Sequence, residues 1–279
     1  MSTLVKDLVE AGIHFGHRST HWNPKMTPYI FGKRNRIHII DVKQTVKGLL
    51  LARKFITKTV AEGKDILFVG TKRQARSIIE KHVTECGMHH CTERWLGGTL
   101  TNFTTIRARL KRLEELENIE ESGEMKSYSK KMESQLNREK SKIHRNLSGI
   151  RNMKKLPGAM VIIDVNAETN AVKEARKLGI PTVCLIDTDS NPEFADIPIP
   201  GNDDAMRAIE IVVDQLCRAV NEGKQARATA PESMKTEGNG EPVRKRSSRA
   251  QFSADSSAPA DPGHDAAGGD PAAEPAPTA

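Results

Sequence analysis

Aromatic residues are scarce in this chain: Phe, Tyr and Trp together fill 11 of its 279 positions. No apolar run approaches the roughly 20 residues that a membrane-spanning helix needs, so no membrane partner is expected. Lys6, Asp7 and Glu10 interrupt the N-terminal residues, and no signal peptide is read there. Cysteine is limited to Cys86, Cys91, Cys184 and Cys217. In a chain of this length they read as reduced thiols of a cytoplasmic protein rather than a disulfide framework. Nucleotide-binding signatures are missing too. Gly70-Thr71-Lys72 belongs neither to the Gly-x-x-x-x-Gly-Lys-Ser/Thr of a phosphate loop nor to the Gly-x-Gly-x-x-Gly of a dinucleotide site. No Ser-His-Asp, Cys-His or paired-carboxylate spacing compels catalysis, so no enzymatic activity is expected. A doubly wound nucleotide-binding enzyme and a free regulatory adaptor are the competing classes. Saturable nucleotide binding by the purified protein marks the first, and the absence of any stable complex with a larger assembly marks the second.

What the chain does have is positive charge, unevenly spread. Its 43 Lys/Arg exceed its 36 Asp/Glu by seven. From Gly223 onward seven Lys/Arg meet eight Asp/Glu, so the tail nets −1 and residues 1–222 net +8. A basic body favours a nucleic acid. The cations gather early: Gly12–Asp41 holds Phe15, Trp22, Tyr29 and Phe31, the cations Arg18, Lys25, Lys33, Arg34 and Arg36, and a single acid, Asp41. Gly12, Gly16, Pro24, Pro28 and Gly32 rule out a long helix there. A basic loop over residues 12–36 is expected, laying its five cations along RNA phosphates while its rings pack or stack on bases. Trp22 has two readings, stacking on RNA or pinning the loop to the domain. Asn23-Pro24 beside it favours pinning, because a large ring commonly anchors irregular backbone.

The pattern beyond is alternating. Leu4, Val5, Leu8 and Val9 fit one face of a short helix that stops at Gly12. Ile37–Ile40 reads as a strand, and Asp41 is placed to cap a helix running to about Ala61. Asp65–Val69, Ala159–Asp164 and Thr182–Asp187 are near-continuous apolar runs, the mark of strands buried on both faces. Ile197-Pro-Ile199 reads as a short edge strand. Helices are expected after Lys72, over about Glu168–Leu178, and over about Ala205–Asn221. Strand and helix in alternation predict an α/β fold with a parallel sheet and right-handed crossovers. Its expected span is residues 1–103 and 156–222.

Residues 104–155 break that layering. They carry 14 Lys/Arg and eight Asp/Glu, with apolar side chains at spaced positions only: Ile106, Leu110, Leu113 and Leu116, then Leu136, Ile143, Leu147 and Ile150. Two long antiparallel helices with a narrow seam, punctuated at Ser122-Gly123, form the expected coiled-coil hairpin, inserted in and standing out from the sheet domain. Its net charge favours RNA or protein contact over an inert spacer. Residues 223–279 are rich in Ala, Pro, Gly, Ser and Asp and are expected to be disordered. Within them Arg244–Arg249 is a weak RNA-contact candidate, with a solvated tail as the default.

Three clusters invite a metal. His14, His17 and His21 have spacings that bring two imidazoles to one ion, but no carboxylate or cysteine sits beside them in sequence. Cys86, His89, His90 and Cys91 lack the second ligand pair of a structural zinc site, and a helix end followed by a strand explains them. Asp164 and Asp187 end buried strands, Asp189 follows, and Asp203-Asp204 open the last helix. These positions gather at the carboxyl edge of a parallel sheet, the usual ligand edge. Asp187, Asp189, Asp203 and Asp204 are therefore candidate ligands for Mg²⁺, a hard cation that prefers oxygen. The alternative is that Asn202 or Asp203 caps the helix and the others close turns. No cofactor is required on either reading. Lys72, Arg73 and Arg76 at a helix start read as anion contacts.

The chain resembles the S-two family of small-subunit ribosomal proteins in its bacterial form. The resemblance rests on the opening segment, Leu67–Lys72, Arg94-Trp-Leu-Gly-Gly-Thr-Leu-Thr-Asn102, Gly149-Ile150 with Met153, Leu178-Gly-Ile-Pro181, Asp187-Thr188 and Ile199–Asp204. It spans roughly residues 2–222, and six motifs in order are specific where one is not. The resemblance implies a Rossmann- or flavodoxin-like domain with a coiled-coil hairpin, bound to small-subunit ribosomal RNA between head and body. It also implies neighbouring small-subunit proteins as partners, among them the large mRNA-binding protein S-one, and a ribosome-bound place in the cytoplasm. On this reading Lys72, Arg73, Arg94, Arg107, Arg109, Lys111, Lys130 and Lys131 join the opening cations as RNA-binding residues. The sequence departs from the family at Ser129-Lys-Lys-Met132, usually Lys-Lys-Glu, which bears on one hairpin contact. A second departure, Asp189-Ser190-Asn191-Pro192, bears on the metal site. The Ala/Pro-rich tail is also longer than is typical.

Overall fold

The computed structural model describes residues 2–229, which fall within one compact unit. Five strands form a parallel sheet: β4 (Ile66–Val69), β5 (His89–Cys91), β6 (Ala159–Ile163), β7 (Thr182–Ile186) and β8 (Ile197–Pro200). Their spatial order is β5-β4-β6-β7-β8. That is the 2-1-3-4-5 order of the flavodoxin-like doubly wound sheet, whose switch point lies between β4 and β6. Every residue of β4, β6 and β7 is buried, which is why these segments lack the polar alternation of a half-exposed strand.

Alternate residues of each strand enter two different cores. Ile66, Phe68, Val161, Ile163, Val183 and Leu185 face one side. There they meet helices α2 (Val42–Ala61), α3 (Arg73–Glu85) and α7 (Met206–Thr229), with Leu8 of α1 (Ser2–Glu10) at the margin. Leu67, Val69, Met160, Ile162, Cys184 and Ile186 face the other, against α6 (Thr169–Leu178). Asp41 caps α2 as expected, its Oδ1 accepting the Lys43 N–H at 2.9 Å.

The expected pair of helices is present as α4 (Phe103–Glu121) and α5 (Lys130–Leu147). They run antiparallel: Arg107 near the start of α4 reaches the Lys154 carbonyl beyond α5, and Glu120 near its end pairs with Lys140. Their base is not separate from the body's interior. Ile106, Leu110, Leu113, Ile143 and Leu147 are continuous with the apolar cluster on the α6 face of the sheet.

Two sequence expectations need correction. The segment read as a basic loop over residues 12–36 is mostly ordered pairing. β1 (Phe15–Arg18), β2 (Ile30–Arg34) and β3 (Ile37–Ile40) form a three-stranded antiparallel sheet in the order β1-β3-β2, with a 3₁₀ turn over Pro24–Tyr29. Gly and Pro excluded a helix there but not short strands. The tail also begins later than Gly223, because α7 continues to Thr229. Gly223 does not terminate the helix. It lets α7 approach α2 so closely that a Cβ there would sit 2.8 Å from the Thr57 carbonyl oxygen. Lys224 then bonds the Cys86 carbonyl at 2.6 Å. The remainder of the expected tail, Arg244–Arg249 included, lies outside the described residues.

Candidate nucleic-acid interface and the carboxylate cluster beside it

The small sheet is tied to the carboxyl edge of the large one through a few bonds. The Thr188 hydroxyl accepts the His17 N–H at 2.9 Å, and the Thr188 carbonyl accepts the Asn23 N–H at 2.8 Å. β1 lies so close to this edge that a Cβ at Gly16 would meet the Thr188 side chain at 2.5 Å. One side of β1 therefore belongs to an acidic cluster, and Arg18 at its end is exposed.

Asp164, Asp187, Asp203 and Asp204 gather here as expected, around two cations. Lys72 Nζ lies 2.7 Å from Asp203, 2.6 Å from Asp204 and 3.5 Å from Asp164. His17 Nδ1 lies 2.9 Å from Asp187, and its Nε2 lies 3.6 Å from Asp204. Asp164 is aimed by backbone in the left-handed region, φ 66°, a conformation non-glycine residues adopt rarely and at functional sites. Hydrogen bonding to Asp187 outweighs burial and raises the His17 imidazole to about 9, which keeps it protonated at neutral pH. Burial resists the Lys72 charge, but the hydrogen bonds it donates to Asp203 and Asp204 prevail and raise its affinity for the proton. Asp203, 1% exposed, is pushed up to about 7 by burial and by Asp164. Nearby, buried Glu168 accepts the Thr71 N–H at 2.8 Å and is held above the ordinary glutamate range by burial.

Among the described residues one group converges as metal ligands do: His17, Asp187 and Asp203, whose donor atoms lie within 4.8 Å of one another. Of the four expected ligands, Asp187 and Asp203 are in it. Asp189 instead accepts from Asn166 at 3.0 Å, and Asp204 is an exposed partner of Lys72. The histidine was named in sequence without its carboxylates, which only the fold supplies. His14 packs at a tilt against Phe15 and His21 is exposed, and the donor atoms of the three histidines do not converge. Cys86 faces Cys217 at 3.7 Å and His89 faces Asp65 at 3.6 Å, which disperses the second cluster.

The expected RNA-binding cations divide by partner. Arg18, Lys33, Arg34, Arg36, Arg73, Arg94, Lys111, Lys130 and Lys131 are exposed. Lys25 is paired with Glu193, Arg109 lies 4.0 Å from Glu139, and Lys72 is held by the carboxylates. Arg34 ends β2 and Arg36 lies in the two-residue turn of the β2–β3 hairpin, where Asn35 and Arg36 have φ 51° and 63°. Consecutive positive φ angles match the right-handed twist of a two-residue hairpin turn. Trp22 packs its ring 5.0 Å from that of His38 while remaining 37% exposed. His38 is 8% exposed, and burial together with Lys33 holds its imidazole below the ordinary histidine range.

Two features escaped the sequence reading. Glu174 on α6 holds the 95–101 loop behind Arg94, accepting from Trp95 Nε1 (3.0 Å) and from the N–H groups of Gly98 (2.8 Å), Leu100 (3.0 Å) and Thr101 (3.1 Å). These bonds hold its carboxyl below the ordinary range against the opposing effect of burial. The other is the acid-free solvent face of α2, where Lys43, Lys47, Lys54 and Lys58 are exposed. The segment was read only as a helix capped by Asp41 and running to about Ala61.

Residues 8–223 match the model of the family described as "Ribosomal protein S2". The chain is 57% identical over 221 residues to the small ribosomal subunit protein uS2 of Rhodopirellula baltica, covering 79% of this chain and 85% of that one. It is 50% identical over 223 residues to the uS2c protein of Guillardia theta, at 80% and 95% coverage. With uS2 of Endomicrobium trichonymphae it shares 49% over 220 residues, at 79% and 90%.

Proposed function

Because the chain belongs to the ribosomal protein S2 family, a structural and non-catalytic one, we propose that it binds small-subunit ribosomal RNA as a constituent of the small ribosomal subunit. On this reading it also helps dock the mRNA-binding protein S-one for initiation. The observation that carries the RNA reading is the exposed, unpaired set Arg18, Lys33, Arg34 and Arg36 on one small sheet, since cations left without internal partners are free to release counterions from phosphates. Arg73, Arg94, Arg107, Lys111, Lys130 and Lys131 extend the proposed contact, with α4 and α5 acting as a coiled-coil arm. Lys25, Lys72 and Arg109 would first exchange their carboxylate partners, and Trp22 serves by shaping the loop. No described helix is long and apolar enough to cross a membrane, and the proposed location is the ribosome in the cytoplasm. Sedimentation of the endogenous protein through sucrose tests this. Co-migration with small subunits that loosens as salt rises supports it, and a protein that stays at the top at low and high salt overturns it.

We also propose a divalent cation at His17, Asp187 and Asp203. The nitrogen donor moves the preference from Mg²⁺ toward ions such as Zn²⁺ or Mn²⁺ that accept mixed ligands. Anomalous scattering from crystals soaked in Mn²⁺ gives a peak at this edge if the reading holds, and none if Lys72 and His17 already meet the charge.

A further inference from the structure

Two of the four cysteines meet inside the core, and nothing in the proposed RNA contact uses them. Cys86 caps the C-terminal end of α3, and Cys217 lies in α7, 131 positions later. Their sulfurs are 3.7 Å apart, in thiol–thiol hydrogen-bond contact, and the residues are 3% and 6% exposed. The other two thiols differ in both respects. Cys91 and Cys184 belong to the apolar cluster on the opposite side of the sheet. Cys91 faces the Arg94 carbonyl rather than a sulfur, and burial pushes both thiols up to about 12.

The surroundings of the pair favour a thiolate on one side only. Lys224 brings its ammonium to the Cys86 carbonyl at 2.6 Å. The hydrogen bond with Cys217 and the Lys224 charge hold Cys86 below the ordinary thiol range against the opposing effect of burial. The same hydrogen bond, with burial, raises Cys217. A low thiol beside a second one is the arrangement in which the first attacks and the second resolves. Position supplies the movement. A disulfide bond is about 2.05 Å long, so the sulfurs must close by about 1.7 Å. Cys86 ends its helix and Gly87 follows at φ 61°, and a helix end frays where an interior turn does not.

We propose that Cys86 and Cys217 form a reversible oxidation site, which closes to a disulfide with a small two-electron oxidant of the hydroperoxide class. The Cys86 thiolate attacks one peroxide oxygen and the O–O bond breaks. The leaving hydroxide takes up the proton that Cys86 released, and Cys86 is left as a sulfenic acid. The Cys217 sulfur then attacks the Cys86 sulfur, the S–O bond breaks, and the departing hydroxide leaves as water with the Cys217 proton. Two thiols are oxidised to one disulfide while one hydrogen peroxide is reduced to two waters. The product staples the end of α3 to α7. It closes a loop that contains β5, α4, α5, β6, α6, β7 and β8. RNA contact plays no part in this chemistry.

The test uses the full chain, reduced, freed of reductant and exposed to hydrogen peroxide well below its melting temperature. It is then denatured in N-ethylmaleimide, digested and mapped by mass spectrometry. A cross-linked Cys86–Cys217 peptide should appear, with Cys91 and Cys184 alkylated. The oxidised chain should melt roughly 5 to 15 °C above the reduced one, because a cross-link over a long loop constrains the unfolded chain. Dithiothreitol should abolish that gain. Cys217→Ala should give no cross-link and a dimedone-trapped sulfenic acid at Cys86. Alkylation of every cysteine after peroxide, oxidation at Cys91 or Cys184 instead, or a disulfide joining two chains overturns the proposal. A Cys86–Cys217 cross-link that leaves the melting temperature unchanged overturns the staple. Mapping of the wild-type chain decides the site even where Cys217→Ala fails to fold.

Discussion

Two neighbouring regions, joined through β1, treat charge in opposite ways. At the carboxyl edge of the parallel sheet, Asp164, Asp187, Asp203 and Asp204 converge on Lys72 and His17, mostly within 3.6 Å. On the antiparallel sheet, Arg18, Lys33, Arg34 and Arg36 face solvent with no acid in the segment that carries them. In the first region most of the interaction is spent internally, because a buried carboxylate such as Asp203 requires a cation or a proton. In the second nothing is matched, and the field extends outward to whatever anion approaches. Counting charges by segment does not separate these cases, since Lys72 and Arg34 look alike in sequence. Partner geometry does.

The largest expected break is on the internal side. Lys72→Met leaves Asp203 buried against Asp164 without its ammonium. Removing one partner of a fully buried pair costs 3–5 kcal/mol; solvent reaching Lys72 reduces this to about 2–3 kcal/mol. Urea denaturation checks it, and a loss below about 1 kcal/mol means Asp203 is satisfied by other means. Next is Glu174→Gln, which substitutes an amide for a carboxylate that accepts several N–H bonds, at about 2 kcal/mol. Because the folded state lowers the Glu174 pKa, its stabilisation is present above the ordinary glutamate pKa and fades as pH falls through the folded value. The gap between wild type and Glu174→Gln should therefore be full at neutral pH and close in acid; a pH-independent gap contradicts this. On the external side, K33A/R34A/R36A should leave the melting temperature within a degree or two, yet reduce the salt dependence of RNA association by about three phosphate contacts. Equal salt slopes would mean that these cations do not touch phosphate. Smallest is Glu115→Gln on α4, which removes the exposed Arg112–Glu115 pair at 3.0 Å and should cost less than about 0.5 kcal/mol. A larger loss would show that the hairpin's surface pairs act as a network.

The parallel sheet was legible because strands buried on both faces are uniformly apolar, as Ile66–Val69 and Ala159–Ile163 are. The Asp41 cap and the narrow seams of α4 and α5 were legible for similarly local reasons. Apart from β3, read in sequence as the strand Ile37–Ile40, the antiparallel sheet was not. Its strands have four or five residues, two contain glycine, and their pairing shifts register twice, so no period accumulates over their length. The true end of α7 was hidden because Gly223 reads as a helix stop until the nearby Thr57 carbonyl is known. Of the acidic cluster, the sequence offered the carboxylates and, separately, a histidine. Nothing in the spacing between His17 and Asp187 joined them.

By itself, then, the sequence determined the layer architecture, the basic character of the first 222 residues and the family motifs, because apolar periodicity and residue type are written position by position. The tertiary structure alone decided which charges are spent and which are offered. It brought Lys72 and His17 to the buried carboxylates. The reason is physical: a charge's energy depends on the distance and burial of its partners, and across 100 or more residues of chain the fold alone sets those distances.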